Sequence, residues 1–169
     1  RVVGVLMPYA QSDAIVRARV AGFRHALAEL GWREDEAVRF ELRWPGDDLE
    51  QVRRDAADLV ALGVDAILTT GSRVVPIVQQ RTRTIPIVFV GTSDPVGQGF
   101  VASLARPGGN TTGFSLFEFT GDSAPVIGKM LELLKQIAPA TTRAALVFNP
   151  ENPATAIYAS KFAASGRAL

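Results

Sequence analysis

Apolar and polar positions along the chain switch repeatedly between a period of two and a helical period. Val2 to Leu6 is a short apolar run ending at Met7-Pro8, which predicts a buried strand. Gln11-Ser12-Asp13 follows as a helix start, with Ser12 or Asp13 as the cap. Val16, Val20, Phe23, Leu27 and Leu30 then recur at helical spacing and form one apolar face, and Gly31 stops the helix. Val38, Phe40, Leu42 and Trp44 alternate with Arg39, Glu41 and Arg43, the pattern of a strand near a sheet edge, closed by Pro45-Gly46. Asp48-x-x-Gln51 has the form of a capping box, and Leu49, Val52, Ala56 and Leu59 mark a second helix that ends at Gly63.

Ala66 to Leu68 predicts a third strand, running into Thr69-Thr70-Gly71-Ser72 and then a helix with Pro76 in its first turn. Ile87 to Val90 is a fourth strand, apolar throughout as a central parallel strand should be, and it runs into Gly91 to Pro95. Residues 100–105 are expected to form a short helix, Arg106 to Asn110 a turn, and Thr111 to Ser115 a fifth strand. A helix is expected over 124–138, with Ile127, Met130 or Leu131, Leu134 and Ile137 on one side and Pro139 at its end. Ala144 to Phe148 reads as a further strand, followed by Asn149-Pro150 and a last helix. Strand and helix in alternation predict an α/β fold. Its open parallel sheet is flanked by helices, has right-handed crossovers and order 2-1-3-4-5, and places the alternating second strand at an edge. Residues 1–115 would form this Rossmann-like lobe, and 116–169 a crossover with an incomplete second lobe.

Composition narrows the chemistry. The chain has 169 residues, 47% hydrophobic and 21% charged, which suits a packed core. With 18 basic and 17 acidic residues the net charge is +1, and the basic residues are scattered, so no nucleic-acid partner is expected. The absence of cysteine excludes a disulfide, a thiol nucleophile and a Cys-based metal site. His25 is the only histidine. It lies about 200° around its helix from Phe23, towards solvent, so neither a general-base nor a metal-ligand role is expected for it. No carboxylates cluster at metal-binding spacing, and no apolar run approaches the roughly 18 residues of a membrane span. The chain enters its first strand almost at Arg1 with no export-signal pattern, so the protein is expected either to be cytoplasmic or to have had its signal removed.

In an open parallel sheet, ligands bind beyond the carboxyl ends of the strands. Three loops there, Met7 to Ser12, Thr69 to Ser72 and Gly91 to Pro95, are rich in small polar residues. Their hydroxyls and helix-N-terminal amides suit a carboxylate or another small anion; the plainer alternative is that the Ser and Thr side chains only cap helices. Tyr9 could stack on a ligand ring or be an ordinary surface tyrosine. Asp94 could cap the segment after it or accept from a ligand amine. Gly97-x-Gly99-x-x-Ala102 matches the dinucleotide fingerprint in form, but follows the fourth strand and not the first. Asn110-Thr111-Thr112 matches a glycosylation sequon and is better read as turn chemistry after Gly108-Gly109.

The stretch Ile85-Pro86-Ile87-Val88-Phe89-Val90-Gly91-Thr92-Ser93-Asp94-Pro95, continued by Gly99 to Leu104 and by Arg106-Pro107-Gly108-Gly109-Asn110-Thr111-Thr112-Gly113, resembles a block shared by a family of ABC-type substrate-binding proteins. The best-understood members of that family bind aromatic amino acids. Phe23 to Trp32 and Leu133 to Pro153 fit the same family more loosely. The resemblance implies a type I periplasmic-binding-protein fold, in which two α/β lobes close on a ligand by hinge motion. It implies a non-catalytic solute receptor, with no cofactor and no metal, located in the periplasm. The partners would be a small molecule, such as an aromatic or branched amino acid, and ABC permease subunits. Carried over by position, ligand-facing groups would come from Tyr9, Ala10 and Gln11, from Thr70, Gly71 and Ser72, and from Ser93 and Asp94. Ser115 would lie near the crossover, and Asn149 and Asn152 would answer from the second lobe. Family members run well beyond this length. The lone strand expected in the second lobe therefore leaves a layer to be completed, by further chain or by a homodimer through that lobe. Two other readings stay open: a sensory or interaction domain derived from the same fold, and a small flavodoxin-like enzyme.

Overall fold

In the computed structural model, which describes residues 1–116, 125–150, 152 and 154–166, five parallel strands lie in the order β2-β1-β3-β4-β5, as the alternation and the apolar runs predict. The strands are β1 (Val2–Leu6), β2 (Arg39–Arg43), β3 (Ala66–Thr70), β4 (Ile87–Thr92) and β5 (Thr111–Ser115). The helices are α1 (Ala14–Glu29), α2 (Leu49–Ala61), α3 (Val75–Arg81), α4 (Pro125–Ile137) and α5 (Ala154–Gly166).

Alternation along the strands divides the core in two. Leu6, Ile67 and Ile87 meet Val52, Ala56 and Leu59 of α2 and Ile77 and Val78 of α3. Val5, Met7 and Leu68 point to the other face and meet Val16 and Val20 of α1, together with Val38 and Phe40. Burying each such side chain contributes about 1.5–3 kcal/mol, so β1, flanked on both sides and on both faces, is the centre of the fold. Gly4 lets α2 approach: a Cβ there would stand 3.1 Å from both methyls of Leu59. Asp13 caps α1 by accepting from Ile15 N (2.9 Å) and Val16 N (3.2 Å). Asp48 caps α2 by accepting from Glu50 N (2.8 Å) and Gln51 N (3.1 Å). Only half of the capping box forms, because Gln51 Oε1, which would accept from Asp48 N, accepts from Arg54 Nε (3.2 Å) and Nη2 (2.8 Å) instead.

Several expectations change. Leu30 lies past the end of α1, where Trp32 N donates back to Leu27 O, and it is exposed. In α4, Ile127 and Leu131 are buried while Met130, Leu134 and Ile137 are exposed, because among the described residues the main partner of α4 is α5, with Gly128 beside Ser165. Residues 100–105 form no helix. A turn over 95–99 comes first, and then the Ser103 hydroxyl bonds the backbone of Arg106 at both N (2.9 Å) and O (3.2 Å), offering the chain a local alternative. Residues 144–148 form no strand. A parallel strand needs a neighbour to pair with, and among the described residues none pairs here; Val147 and Phe148 are exposed. The fourth strand is not buried throughout either: Val90 is exposed, as are Phe114 and Leu116, because α1 covers only the β2-β1-β3 part of its face.

Two features carry predictions. Gly113 sits against β4 so closely that a Cβ would be 2.0 Å from Phe89 O and 2.7 Å from its ring, which is fully buried. Gly113→Ala is expected to lower stability towards the upper end of the roughly 1–3 kcal/mol typical of overpacking, read as a drop in the urea midpoint. The Asp65 carboxyl joins the starts of β1 and β3. It accepts from Val2 N (2.7 Å) and from Arg1 (2.9 Å), and these bonds, Val2 first, hold its pKa below the ordinary value. A lowered folded pKa makes the contribution present above the unfolded value of about 4 and lost as pH falls through the lower folded one. Asp65→Asn is expected to remove that part of the acid-side fall in Tm.

Candidate functional site

The carboxyl ends of the five strands share one edge. The chain leaving β1 passes to α1 on one face, while the chain leaving β3 passes to α3 on the other. The two connections diverge and leave a crevice between Pro8-Tyr9 and Gly71-Ser72.

Among the described residues, two concavities open along this edge, and Tyr9 lines both. The smaller, about 160 Å³, is polar: Tyr9, Gly46, Asp47, Gly71, Ser72, Arg73 and Asn152 are among its walls. Asp47 and Arg73 are thus the charged residues of its wall, with the hydroxyl-bearing Ser72 beside them. Gly71 turns the chain into it with φ 87°, a backbone conformation that suits glycine. The larger, about 520 Å³, is mainly apolar and lies over the uncovered part of the α1 face. Val16, Val20, Phe23, Val90, Phe114 and Leu116 line it, with Thr70 and Ser115 at the polar margin and Arg19 as its cation.

The expected site residues divide accordingly. Tyr9, Gly71, Ser72 and Asn152 meet at the small cavity, and Tyr9, Thr70 and Ser115 at the large one. Ala10 and Gln11 are exposed and line neither, as does Asn149, whose carbonyl accepts from Asn152 N (3.2 Å) and Thr155 Oγ1 (2.7 Å). Ser115 Oγ donates to Thr92 O (3.1 Å) and so ties β5 to the end of β4. Asp94 is almost wholly buried and lines neither cavity; it caps its own turn by accepting from Gly97 N (3.2 Å). Its φ of 45° is left-handed, a strained setting that aspartate tolerates better than most residues. The helix-N-terminal amides expected as anion donors are partly engaged. Those of Ile15 and Val16 go to Asp13, and those of Val74 and Val75 go to Gly71 O (3.1 and 3.3 Å).

Sequence reasoning missed three residues. Asp47 and Arg73 complete the small cavity. Gln98 stands behind it: its Nε2 donates to Ser72 Oγ (3.0 Å) and to the carbonyl of Ser93, while its Oε1 is buried without a partner. The signal for the charged pair was positional, since each follows the end of a strand on one side of β1. Asn110 behaves as turn chemistry, donating to Ile85 O (2.8 Å) and Thr82 O (3.3 Å). Among the described residues, no group of three or more His, Cys, Asp or Glu could hold a metal ion, and no helix is long and apolar enough to cross a membrane.

A family model described as ABC transporter substrate binding protein matches residues 3–165. A curated relative, the tyrosine-binding protein of Clostridioides difficile (strain R20291), is 28% identical over 128 residues, which is 76% of this chain and 35% of that protein. Among solved structures, a conserved domain protein from Vibrio cholerae O1 biovar El Tor aligns with a TM-score of 0.82 at 25% identity, covering 99% of this chain and 53% of that one. The ABC domain from Streptococcus pneumonia in complex with L-Trp aligns with a TM-score of 0.81 at 24% identity, again over 99% and 53%. The chain thus spans about a third of the curated relative and about half of these solved chains.

The 95–99 turn carries a prediction of its own. A Cβ on Gly97 would fall 2.2 Å from Asp94 Oδ2, inside the carboxylate that caps the turn. Gly97→Ala is expected to expel Asp94 from its cap and to destabilise the chain by about 1–2 kcal/mol, the scale of a lost cap. Urea unfolding measures the loss, and the chemical shifts of residues 92–100 report whether it starts in this turn.

Proposed function

The chain belongs to the ABC transporter substrate-binding protein family, and on that premise we propose that it supplies the first lobe, and the opening of the second, of a non-catalytic solute receptor for an ABC importer. Residues 1–115 form that first lobe and 116–169 the crossover and the start of the second. The receptor works outside the cytoplasm and hands its ligand to the importer's permease subunits.

The ligand is a zwitterionic amino acid with an aromatic side chain. One observation carries this reading: the small cavity sets Asp47, Arg73 and the Ser72 hydroxyl around a volume of about 160 Å³. A carboxylate and a guanidinium facing one small space complement an α-ammonium and an α-carboxylate, and charge-assisted hydrogen bonds of that kind are the stronger class. The headgroup fills that volume. The ring of the ligand then lies against Tyr9, at the wall shared with the apolar cavity. Two relatives point the same way, one described as tyrosine-binding and one solved with L-Trp. Within this reading Tyr9, Gly71, Ser72 and Asn152 touch the ligand. Ser93 and Asp94 shape the loop behind Ser72, and Ala10, Gln11 and Asn149 stand outside the contact surface.

Titration of the ¹⁵N-labelled chain with L-tryptophan and L-tyrosine tests the proposal. The amides of Tyr9, Asp47, Gly71, Ser72 and Arg73 are expected to shift together. Arg73→Gln is expected to weaken binding roughly tenfold, the scale of one hydrogen bond to a charged group. Shifts confined to the apolar groove around Val20, Phe23 and Phe114, or none at millimolar ligand, would sink it.

A further inference from the structure

The Gln98 side chain holds an arrangement that packing alone does not account for. The Ser93 carbonyl can only accept, so the amide atom facing it is the Nε2 amino group. The other N–H of that group points to Ser72 Oγ at 3.0 Å. Ser72 Oγ is thereby an acceptor of the Gln98 amide, and its own proton must go elsewhere. Among the described residues no acceptor receives that proton, although Ser72 is buried and lines the small cavity. Gln98 meanwhile leaves its Oε1 buried and unpaired. A buried acceptor without a partner is costly in a folded protein and calls for a reason.

We propose that Gln98 is a positioning residue that fixes the direction of the Ser72 O–H, so that Ser72 arrives at the cavity as a donor aimed at a ligand carboxylate oxygen. A hydroxyl in water or in an unbiased site divides its time between donating and accepting. The Gln98 amide occupies one of the two Oγ lone pairs before the ligand enters and turns the O–H away from itself. The hydroxyl then favours a carboxylate oxygen beside Arg73, which takes the proton it has left to donate. Since Gln98 lies on the turn capped by Asp94, the geometry of that turn reaches the ligand through one hydrogen bond. The inference rests on the ligand-binding reading above and assigns a role to a residue outside the cavity wall.

The test uses the intact chain and two probes, L-tryptophan and tryptamine, which share the ring and the amine and differ in the carboxylate. Affinities come from NMR titration of the wild type, Ser72→Ala, Gln98→Leu and the double variant, with the spectrum of residues 1–65 as the check that each variant is folded. Gln98→Leu is expected to weaken L-tryptophan about tenfold, to leave tryptamine unchanged, and to add nothing further once Ser72 is alanine. If Gln98 only braces the turn against Ser72, both probes weaken alike or the two substitutions multiply, and the proposal is overturned. It is also overturned if Gln98→Leu binds L-tryptophan as the wild type does. Failure of the wild type to bind either probe overturns the parent reading together with this one, so the two failures are distinguishable.

Discussion

A strand in a sheet has two hydrogen-bonding edges and can take two neighbours. β1 uses both, pairing Val2 to Leu6 with Arg39 to Arg43 on one side and Val3 to Leu6 with Ala66 to Thr69 on the other. Because the strands are parallel, each connection must cross the sheet before the next strand starts, and the right-handed crossover dictates the face. The step from β1 to β2 goes one way and the step from β2 to β3 returns past β1. α1 therefore lies on one face and α2 and α3 on the other. The crevice beyond β1 is a direct result: two loops leave adjacent strand ends in opposite directions, and the described residues leave a space between them. The two cores, the edge position of β2 and the location of the polar cavity all follow from this single pairing.

Periodicity is a local property, and the elements that depend only on local pattern were legible. The alternation of Val38 to Trp44 places β2 at an edge, and the faces of α1 and α2 could be read from Val16-Val20 and Val52-Ala56-Leu59. What failed needed a partner. Residues 144–148 have a strand's composition, yet nothing among the described residues pairs with them. Residues 100–105 gave way to bonds from the Ser103 hydroxyl, which no periodicity shows.

The site was legible as an edge and not as a set of atoms. Ser72 and Tyr9 could be placed because they stand in loops rich in small polar residues. Asp47 and Arg73 could not, since each is a lone charge among unremarkable neighbours. They line one cavity because Leu6 is in register with Arg43 and with Thr69, which brings the ends of β2 and β3 to the same height on either side of β1. Gln98 is further removed, because its contact with Ser72 exists only through the fold of the turn after β4. Residues that act through others have no signature of their own in a sequence.

The two aspartate caps also determine what the edge does not attract. A helix pointing its N-terminus at a crevice lends it positive potential, and bare anions such as phosphate or sulfate collect at such places. Here α1 and α2 each begin with a carboxylate already seated on the first amides, Asp13 and Asp48. The dipole of each helix is met at its source, and Asp47 adds a further negative charge beside Arg73. α3 differs: it starts beside Ser72 and Arg73 with no side-chain cap on its first turn. The neutralisation is therefore confined to the α1 and α2 sides of the edge. The capping residues of the scaffold make the field along the crevice uneven, independently of any group that lines it.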